Sequence, residues 1–246
     1  MANLDRETMV SVNLTNPEEG KWGMVIDRDL CTGCQACVAA CAMENNISFV
    51  GEELSGNGRS MHWIRIERFW EGEYPEVKAT PFEPTLCQQC GYAPCEPVCP
   101  AYATVHSQDQ QLNLQVYNRC VGTRYCGNNC PYQVRSFNWF DYERPEPLNN
   151  QLNPDVTVRR RGVMEKCTFC IQRIKRAEDT ARAEGREVAD GEFAPACAQA
   201  CPANAIVFGR VDKPETVVSQ LAKQARGVKR LEELGTFPHV TYLKAG

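Results

Sequence analysis

The sequence lacks the features expected of a membrane-spanning, nucleic-acid-binding or nucleotide-binding protein. No apolar run is long enough to cross a bilayer. Charge is nearly balanced, with 27 Lys and Arg against 31 Asp and Glu, which argues against a basic nucleic-acid binder. No Gly-rich dinucleotide fingerprint follows a strand, and neither a P-loop nor a nucleophile–base pair is recognisable. The sequence therefore indicates no catalytic site on this chain.

The beginning of the sequence also lacks an export signal. Residues Met1 to Gly20 are polar and acidic, without a basic region, an apolar stretch or a twin arginine. We therefore expect the chain to fold in the cytoplasm, with any export depending on the signal of another subunit. The 246 residues are 43% hydrophobic and 24% charged, which predicts a globular protein of one domain or two small ones.

Cysteine, by contrast, is abundant, at 15 of 246 residues. An odd number of cysteines without a secretory signal disfavours a disulfide framework. All 15 fall into four groups: group one is Cys31, Cys34, Cys37 and Cys41; group two is Cys87, Cys90, Cys95 and Cys99; group three is Cys120, Cys126 and Cys130; group four is Cys167, Cys170, Cys197 and Cys201.

The spacing in these groups repeats the ligand run of bacterial ferredoxins, in which three close cysteines hold one cubane and a fourth reaches its neighbour. Groups two, three and four end in Cys-Pro, at Pro100, Pro131 and Pro202, whereas Ala42 follows group one. Group three has Thr123 where its middle cysteine would fall. Zinc would need paired knuckles in tetrahedral sets, which explains neither the triplets nor the Cys-Pro repeats. The pattern predicts iron–sulfur clusters, with a zinc-bound structural module as the alternative.

Strand-like runs flank the groups and indicate the fold class. The runs before groups one and three are Trp22–Asp27 and Leu112–Tyr117, and those after groups two and four are Ala103–His106 and Ala205–Phe208. We predict an α+β fold with two pseudo-symmetric, bacterial-ferredoxin-like dicluster units and long loop insertions. Residues 81–140 would form an inner unit with groups two and three. Residues 21–80 together with 155–210 would form an outer unit with groups one and four.

The remaining segments give weaker signals. Residues 141–154 are rich in Pro and Asn and read as a surface connection. Residues 211–246 read as a C-terminal helix and an extended tail. The predicted elements are a Gly-rich turn at Gly51 to Gly58, an extended run at His62 to Trp70, a helix from Thr168 ended by Gly185, a helix from about Pro214 to Arg226, and an extended segment near Phe237 to Leu243.

A basic stretch lies beside group four. Its members are Arg159, Arg160, Arg161, Lys166, Arg173, Lys175 and Arg176. Such runs usually form a solvated face. The alternative is that some of these cations raise the reduction potential of a cluster or contact an acidic partner, since net charge tunes such centres.

These motifs resemble a known family. The order of the groups, with residues 118–131 reading NRCVGTRYCGNNCP, is similar to the four-cluster electron-transfer subunit of complex iron–sulfur molybdoenzymes. Residues 162–170, reading GVMEKCTFC, and the presence of Thr123 are most similar to the iron–sulfur component of alternative complex III and the related quinone reductase complex. The resemblance covers about residues 21–210.

The resemblance implies three [4Fe–4S] clusters and one [3Fe–4S] cluster, bound by crossed sets of cysteines. We name these sets the first quartet (Cys31, Cys34, Cys37 and Cys201), the second quartet (Cys167, Cys170, Cys197 and Cys41), the third quartet (Cys87, Cys90, Cys95 and Cys130) and the triplet (Cys99, Cys120 and Cys126). The triplet would hold the three-iron cluster because Thr123 offers no thiolate. The rival expectation is that Thr123 or water ligates a fourth iron.

The resemblance further implies an electron carrier rather than a catalyst. Such a chain relays single electrons between a large molybdopterin-oxidoreductase-type subunit and a quinone-reactive integral membrane subunit. A cytochrome c subunit is a further candidate partner, and nucleic acid is not expected. We expect a peripheral position on the periplasmic face after co-export with a partner, with the cytoplasmic face as the alternative. The alternative function is that of a free soluble polyferredoxin.

Overall fold

The computed structural model describes residues 21–244, so the stretch from Met1 to Gly20, predicted to lack an export signal, lies outside them. The strands are β1 (Trp22–Asp27), β2 (Ile64–Glu67), β3 (Trp70–Glu71), β4 (Lys78–Ala79), β5 (Glu83–Leu86), β6 (Thr104–His106), β7 (Asn113–Gln115), β8 (Arg135–Phe137), β9 (Met164–Lys166), β10 (Ile206–Arg210), β11 (Gly227–Val228) and β12 (Val240–Leu243). The α-helices are α1 (Ala36–Glu44), α2 (Gly51–Gly56), α3 (Tyr125–Asn128), α4 (Ile171–Ala183), α5 (Ala196–Gln199) and α6 (Val217–Ala222). Short 3-10 helices cover Tyr117–Arg119, Leu148–Gln151 and Glu232–Leu234.

A four-stranded sheet in the order β10-β1-β12-β11 joins the two ends of the described chain. Strand β1 is buried over its first five residues, as its continuous apolar run predicts for a strand covered on both faces. It pairs antiparallel with β10, where Met24 lies opposite Phe208, and parallel with β12, where Met24 lies opposite Val240. The strand before group one is therefore held beside the strand after group four.

Two strand pairs join the segments predicted as inner and outer units. Strand β2 pairs with β5, and Ile64 lies opposite Leu86. Strand β8 pairs with β9, and Phe137 lies opposite Met164. Strands β6 and β7 pair as a hairpin between groups two and three. Short strands thus bridge segments that are distant in sequence, and the core is shared between them.

The helices agree with the sequence in part. Helix α4 ends before Gly185 as predicted, and it buries Ile174, Ala177 and Ala181. It begins at Ile171 rather than at the predicted Thr168, because Cys170 has left-handed backbone, with φ of 53°. The prediction of a turn at Gly51 to Gly58 is wrong over its first part, because α2 forms there with Glu52 and Glu53 in its first turn, where a helix N-terminus favours acidic side chains.

The C-terminal helix is shorter than predicted. It begins at Val217 rather than near Pro214, because the hydroxyl of Thr216 accepts a hydrogen bond from the Ser219 amide and caps the helix there. It ends at Ala222, before Arg226. The extended segment near Phe237 to Leu243 is confirmed in its second half as β12.

The main hydrophobic core is built around cysteine. Nine cysteines are buried members of it, together with the rings of Trp22, Trp63, Phe169 and Phe208. The rings of Trp22 and Phe208 stack with their centroids 5.6 Å apart. Within residues 21–244, no helix is long and apolar enough to span a membrane.

Candidate iron–sulfur centres

The first quartet lines one small cavity. Group one supplies three of its thiols, and the fourth, Cys201, arrives because β10 pairs with β1. The thiolate of Cys201 lies close enough to Cys31 and Cys37 to raise the pKa of both thiols, after burial as the larger cause. The Ala205 amide donates to Cys201 Sγ at 3.4 Å and fixes that sulfur.

The third quartet lines a second small cavity. Its thiols are all buried. Burial raises the pKa of Cys90, and the neighbouring charges of Cys87, Cys95 and Cys130 raise it further. Four thiols from two distant segments thus converge around one space.

The second quartet is the most deeply buried set. Burial raises the pKa of Cys41 well above its usual value, and the charges of Cys167, Cys197 and Cys170 add to that rise. Asn45, in the turn that ends α1, places its Nδ2 at 3.6 Å from Cys41 Sγ and at 3.7 Å from Cys170 Sγ. Its side chain joins the remote cysteine of the quartet to a member of group four.

Two members of the triplet, Cys99 and Cys120, accept hydrogen bonds from backbone amides. The Ala103 amide donates to Cys99 Sγ at 3.2 Å, and the Met164 amide donates to Cys120 Sγ at 3.4 Å. Burial raises the pKa of Cys99, but hydrogen bonds from nearby backbone amides outweigh it and leave that pKa below its usual value. This cysteine is therefore prepared to ionise, and only thiolates bind iron.

The three quartets have the donor chemistry of cubane sites. Several of these thiols resist ionisation because they are buried: burial raises the pKa of Cys95 to about 11 and that of Cys167 to about 12. A bound iron–sulfur cluster needs them as thiolates and supplies the positive charge that relieves both desolvation and mutual repulsion. The residues therefore fit the group that the cysteine pattern predicts.

The charges that act between cysteines of different sets indicate which sets are neighbours. The charge of Cys37 in the first quartet acts on Cys197 in the second, and that of Cys87 in the third acts on Cys167 in the second. The charges of the third quartet's thiolates and of Cys126 in the triplet both act on Arg135. The order is first quartet, second quartet, third quartet and triplet.

Burial follows the same order. All eight cysteines of the second and third quartets are buried. Cys34 in the first quartet is exposed, and Cys31 and Cys201 are half-buried. In the triplet, Cys99 and Cys120 are half-buried. The row thus has a buried middle and two accessible ends.

Thr123 occupies the same backbone position in group three as Cys34 does in group one. Gly33 and Gly122 have φ of 70° and 76°, and the residues after Cys34 and Thr123 both have φ of 62°. A helix starts immediately afterwards in each loop. Cys34 and Thr123 are both exposed. The ligand loop is present in group three, and only the thiol is missing.

Sequence reasoning missed Arg135 and misjudged two members of the basic stretch. Arg135 Nη2 lies 3.1 Å from Cys95 Sγ, across 40 positions of sequence, so no local pattern signals the contact. Arg159 and Lys166 are buried, so the solvated-face prediction is wrong for them. It holds for the exposed members Arg160, Arg161, Lys175 and Arg176.

Comparison with known proteins identifies relatives that are iron–sulfur subunits. The 4Fe-4S dicluster domain family matches residues 30–103. The chain is 46% identical over 227 residues to the iron–sulfur cluster-binding subunit of menaquinone reductase from Nitratidesulfovibrio vulgaris, covering 91% of this chain and 88% of that protein. It is 34% identical to the iron–sulfur subunit of arsenate respiratory reductase from Shewanella sp., covering 91% of this chain and 96% of that protein. The iron–sulfur subunit 1 of Hdr-like menaquinol oxidoreductase from Archaeoglobus fulgidus is also 34% identical, with 93% and 85% covered.

Proposed function

The chain belongs to the iron–sulfur electron-transfer subunits of the complex iron–sulfur molybdoenzyme family, and from this membership we propose that it relays single electrons along three [4Fe–4S] clusters and one [3Fe–4S] cluster. The first, second and third quartets would hold the cubanes, and the triplet would hold the three-iron cluster. The observation that carries this proposal is the row of cysteine sets with a buried middle and two accessible ends. Such a row suits a path between two external partners better than storage in one carrier.

The clusters, when bound, supply the one-electron chemistry. The residues of the chain hold and insulate them. Buried thiols exclude water from the middle of the row, and backbone amides such as those of Ala103 and Ala205 donate to cysteine sulfurs and stabilise their negative charge. Because reduction potential depends on hydrogen bonds to sulfur and on exposure, these contacts would help to set each potential.

The three-iron assignment of the triplet rests on the loop that contains Thr123. Its backbone repeats that of the loop with Cys34, so a fourth iron would face the Thr123 hydroxyl. A threonine hydroxyl is not ionised at neutral pH and is a poor ligand for iron. We therefore propose that this corner stays empty, and that the resulting cluster has a higher potential than a neighbouring cubane.

Exposed apolar side chains near both ends of the row support docking of two partners. Val121 and Tyr125 flank Thr123 and are 68% and 61% exposed. Leu30, which directly precedes Cys31 of the first quartet, is 48% exposed. Apolar side chains of this size mark interaction surfaces when they cluster. We propose a large molybdopterin-oxidoreductase-type subunit at one end and a quinone-reactive membrane subunit at the other, on the periplasmic face of the membrane.

The division into two ferredoxin-like units is also part of the proposal. Two segments support it because they repeat one another in sequence and in local structure. Cys99 and Cys201 are each followed by Pro-Ala and accept a hydrogen bond from the amide four residues later, just before β6 and β10. The outer unit would comprise residues 21–80 with 155–210, and the inner unit residues 81–140.

Purification from native membranes tests the function. We expect the chain to elute with two further subunits and to be reduced when a quinol or the large subunit's donor is added. Tyr125→Glu should release one partner while iron content stays unchanged, and Leu30→Glu should release the other. Tyr74→Glu is the matched control, because Tyr74 is 93% exposed in the loop between β3 and β4. Recovery of the native protein solely as a free, fully loaded monomer would instead indicate a polyferredoxin.

A further inference from the structure

Two cations face each other inside the protein, between the second and third quartets. The antiparallel register of β8 and β9 places Arg135 directly opposite Lys166. Lys166 is fully buried, and Arg135 is half-buried. Like charges directly opposite on paired strands destabilise a sheet, and burial makes that cost larger. The arrangement needs a countercharge.

The described part of the chain supplies no carboxylate to either cation. Arg135 donates to Thr104 Oγ1, Gln115 Oε1, Asn113 Oδ1 and Cys95 Sγ, at distances from 2.9 to 3.2 Å. Lys166 Nζ donates to two backbone carbonyls, those of Asn113 and Cys167, the latter at 2.8 Å. All of these acceptors except the Cys95 sulfur are neutral.

Arg159, a buried cation close to Lys166 in sequence, does have a carboxylate partner. Arg159 pairs with Glu165, and both side chains are 1% exposed. Glu165 lies next to Lys166 in sequence, but its carboxylate accepts a hydrogen bond from Arg159 Nε. The fold can therefore pair a buried arginine with a carboxylate in this region, yet leaves Arg135 and Lys166 without one.

The negative charge near both cations comes from cysteine. Arg135 Nη2 lies 3.1 Å from Cys95 Sγ of the third quartet. Lys166 immediately precedes Cys167 of the second quartet and bonds its carbonyl. Four thiolates around a cubane leave a net negative charge.

We propose that Arg135 and Lys166 form a buried cationic pair whose countercharge is the two middle clusters, and that this pair raises the reduction potentials of both clusters above that of the first quartet's cluster. The inference rests on the proposed assignment of the second and third quartets as cubane ligands. Uptake of one electron makes a cluster more negative by one charge, and a nearby cation in a poorly polarisable interior stabilises that form. The first quartet has no comparable contact to a cation among its described hydrogen bonds and ion pairs.

The consequence is that an electron does not stay at the first quartet. An electron that enters there would move to the buried middle of the row, and the higher potential proposed for the triplet's cluster would let it continue to that end. Water and small oxidants reach exposed clusters more readily than buried ones, so this ordering would keep the electron away from the exposed first quartet.

Redox titration of the loaded, anaerobic protein, followed by electron paramagnetic resonance, tests the pair. Arg135→Gln should lower the potential of one cubane, that of the third quartet, and that of the triplet's cluster, because the charge of Cys126 also acts on Arg135. Lys166→Met should lower two cubanes, because Lys166 lies between the second and third quartets. Arg135→Lys keeps the charge and should restore most of the lost potential. Lys175→Met is the control, because Lys175 is an exposed cation of the same basic stretch.

The inference would be overturned if the potentials of Arg135→Gln and Lys166→Met both match those of Lys175→Met. It would also be overturned if the potentials of all centres fall equally. Iron content is measured first. Iron loss in Arg135→Gln with full iron in Arg135→Lys supports the pair, because charge alone then separates the variants; iron loss in both contradicts it. These outcomes are distinct from a failure of the proposed relay function, because a free electron carrier would still show the same shifts in potential. Fewer than four centres in the unsubstituted protein would instead overturn the ligand assignment.

Discussion

The loops from Cys31 to Cys37 and from Cys120 to Cys126 have the same backbone course and differ at one ligand position. Each contains a glycine with φ near +70°, a following residue in the left-handed region, and a helix that begins directly afterwards. The pattern of exposure is also nearly the same along both loops. Cys34 in one loop is Thr123 in the other.

The comparison shows that the shape of a ligand loop and its number of thiolates are separate properties. Left-handed backbone at Gly33 and Gly122 sets the shape, and these positions suit glycine because it has no Cβ. The ligand side chain can then change without loss of the loop. A single substitution should therefore switch the type of cluster that the loop holds.

The largest effect is expected for Thr123→Cys. A fourth thiolate in a loop already shaped for it should complete a cubane, so the paramagnetic signal of an oxidised three-iron cluster should disappear and a low-potential cubane should appear. Iron content should rise by about one atom per chain, from the difference between the two cluster types. Anaerobic iron analysis and electron paramagnetic resonance measure both changes.

Thr123→Ser is the matched control, because serine keeps the hydroxyl and offers no thiolate. It should keep the three-iron signal of the unsubstituted protein. An unchanged spectrum in Thr123→Cys, with a correctly folded and loaded protein, would contradict the equivalence of the two loops.

The reverse exchange should have a smaller effect, confined to the first quartet. Cys34→Thr removes the exposed ligand of that quartet, so its cluster should lose about one iron and give a second three-iron signal in the oxidised protein. Thr32→Ala, an exposed non-ligand change in the same loop, should leave the iron content unchanged. Retention of four irons by Cys34→Thr would mean that a hydroxyl can ligate the corner iron, and the same would then hold for Thr123.

The smallest effect concerns the loop backbone. An alanine at Gly122 would place its Cβ 2.6 Å from the Gly162 carbonyl oxygen, which is fixed backbone. Gly58 has a similar φ of 69°, but nothing lies within 4 Å of its Cβ position. Both alanines carry the left-handed strain of about 1–2 kcal/mol, so Gly122→Ala should lose iron faster on heating than Gly58→Ala. Equal rates of cluster bleaching would show that the close approach at Gly122 is unimportant.

Much of this molecule could be read from local sequence. The apolar run at Trp22–Asp27 became β1 with the predicted bounds, and the pattern Ile174, Ala177 and Ala181 became the buried face of α4. The strand pairs β2–β5 and β8–β9 could not be read, because they join short segments whose partners are set by the shared core. The parallel pairing of β12 with β1 could not be predicted either, because the two strands lie near opposite ends of the described chain.

The convergence of the first and third quartets could be predicted, because cluster ligation imposes a spacing on the cysteines themselves. The residues that surround the clusters could not. Arg135 reaches Cys95 only because β8 lies beside the third quartet, and Asn45 meets Cys170 only when α1 has packed against group four. Such contacts depend on tertiary structure, and a list of charged residues near a motif does not separate Lys166, which is buried, from Lys175, which is exposed.

The most direct test of the central claim combines iron analysis with the spectrum of the oxidised, unsubstituted protein. Three cubanes and one three-iron cluster predict about 15 iron atoms per chain and a three-iron signal that integrates to one centre per chain. About 16 iron atoms with no three-iron signal would contradict the assignment of Cys99, Cys120 and Cys126 to a three-iron centre, and about 8 iron atoms would contradict the four-cluster row itself.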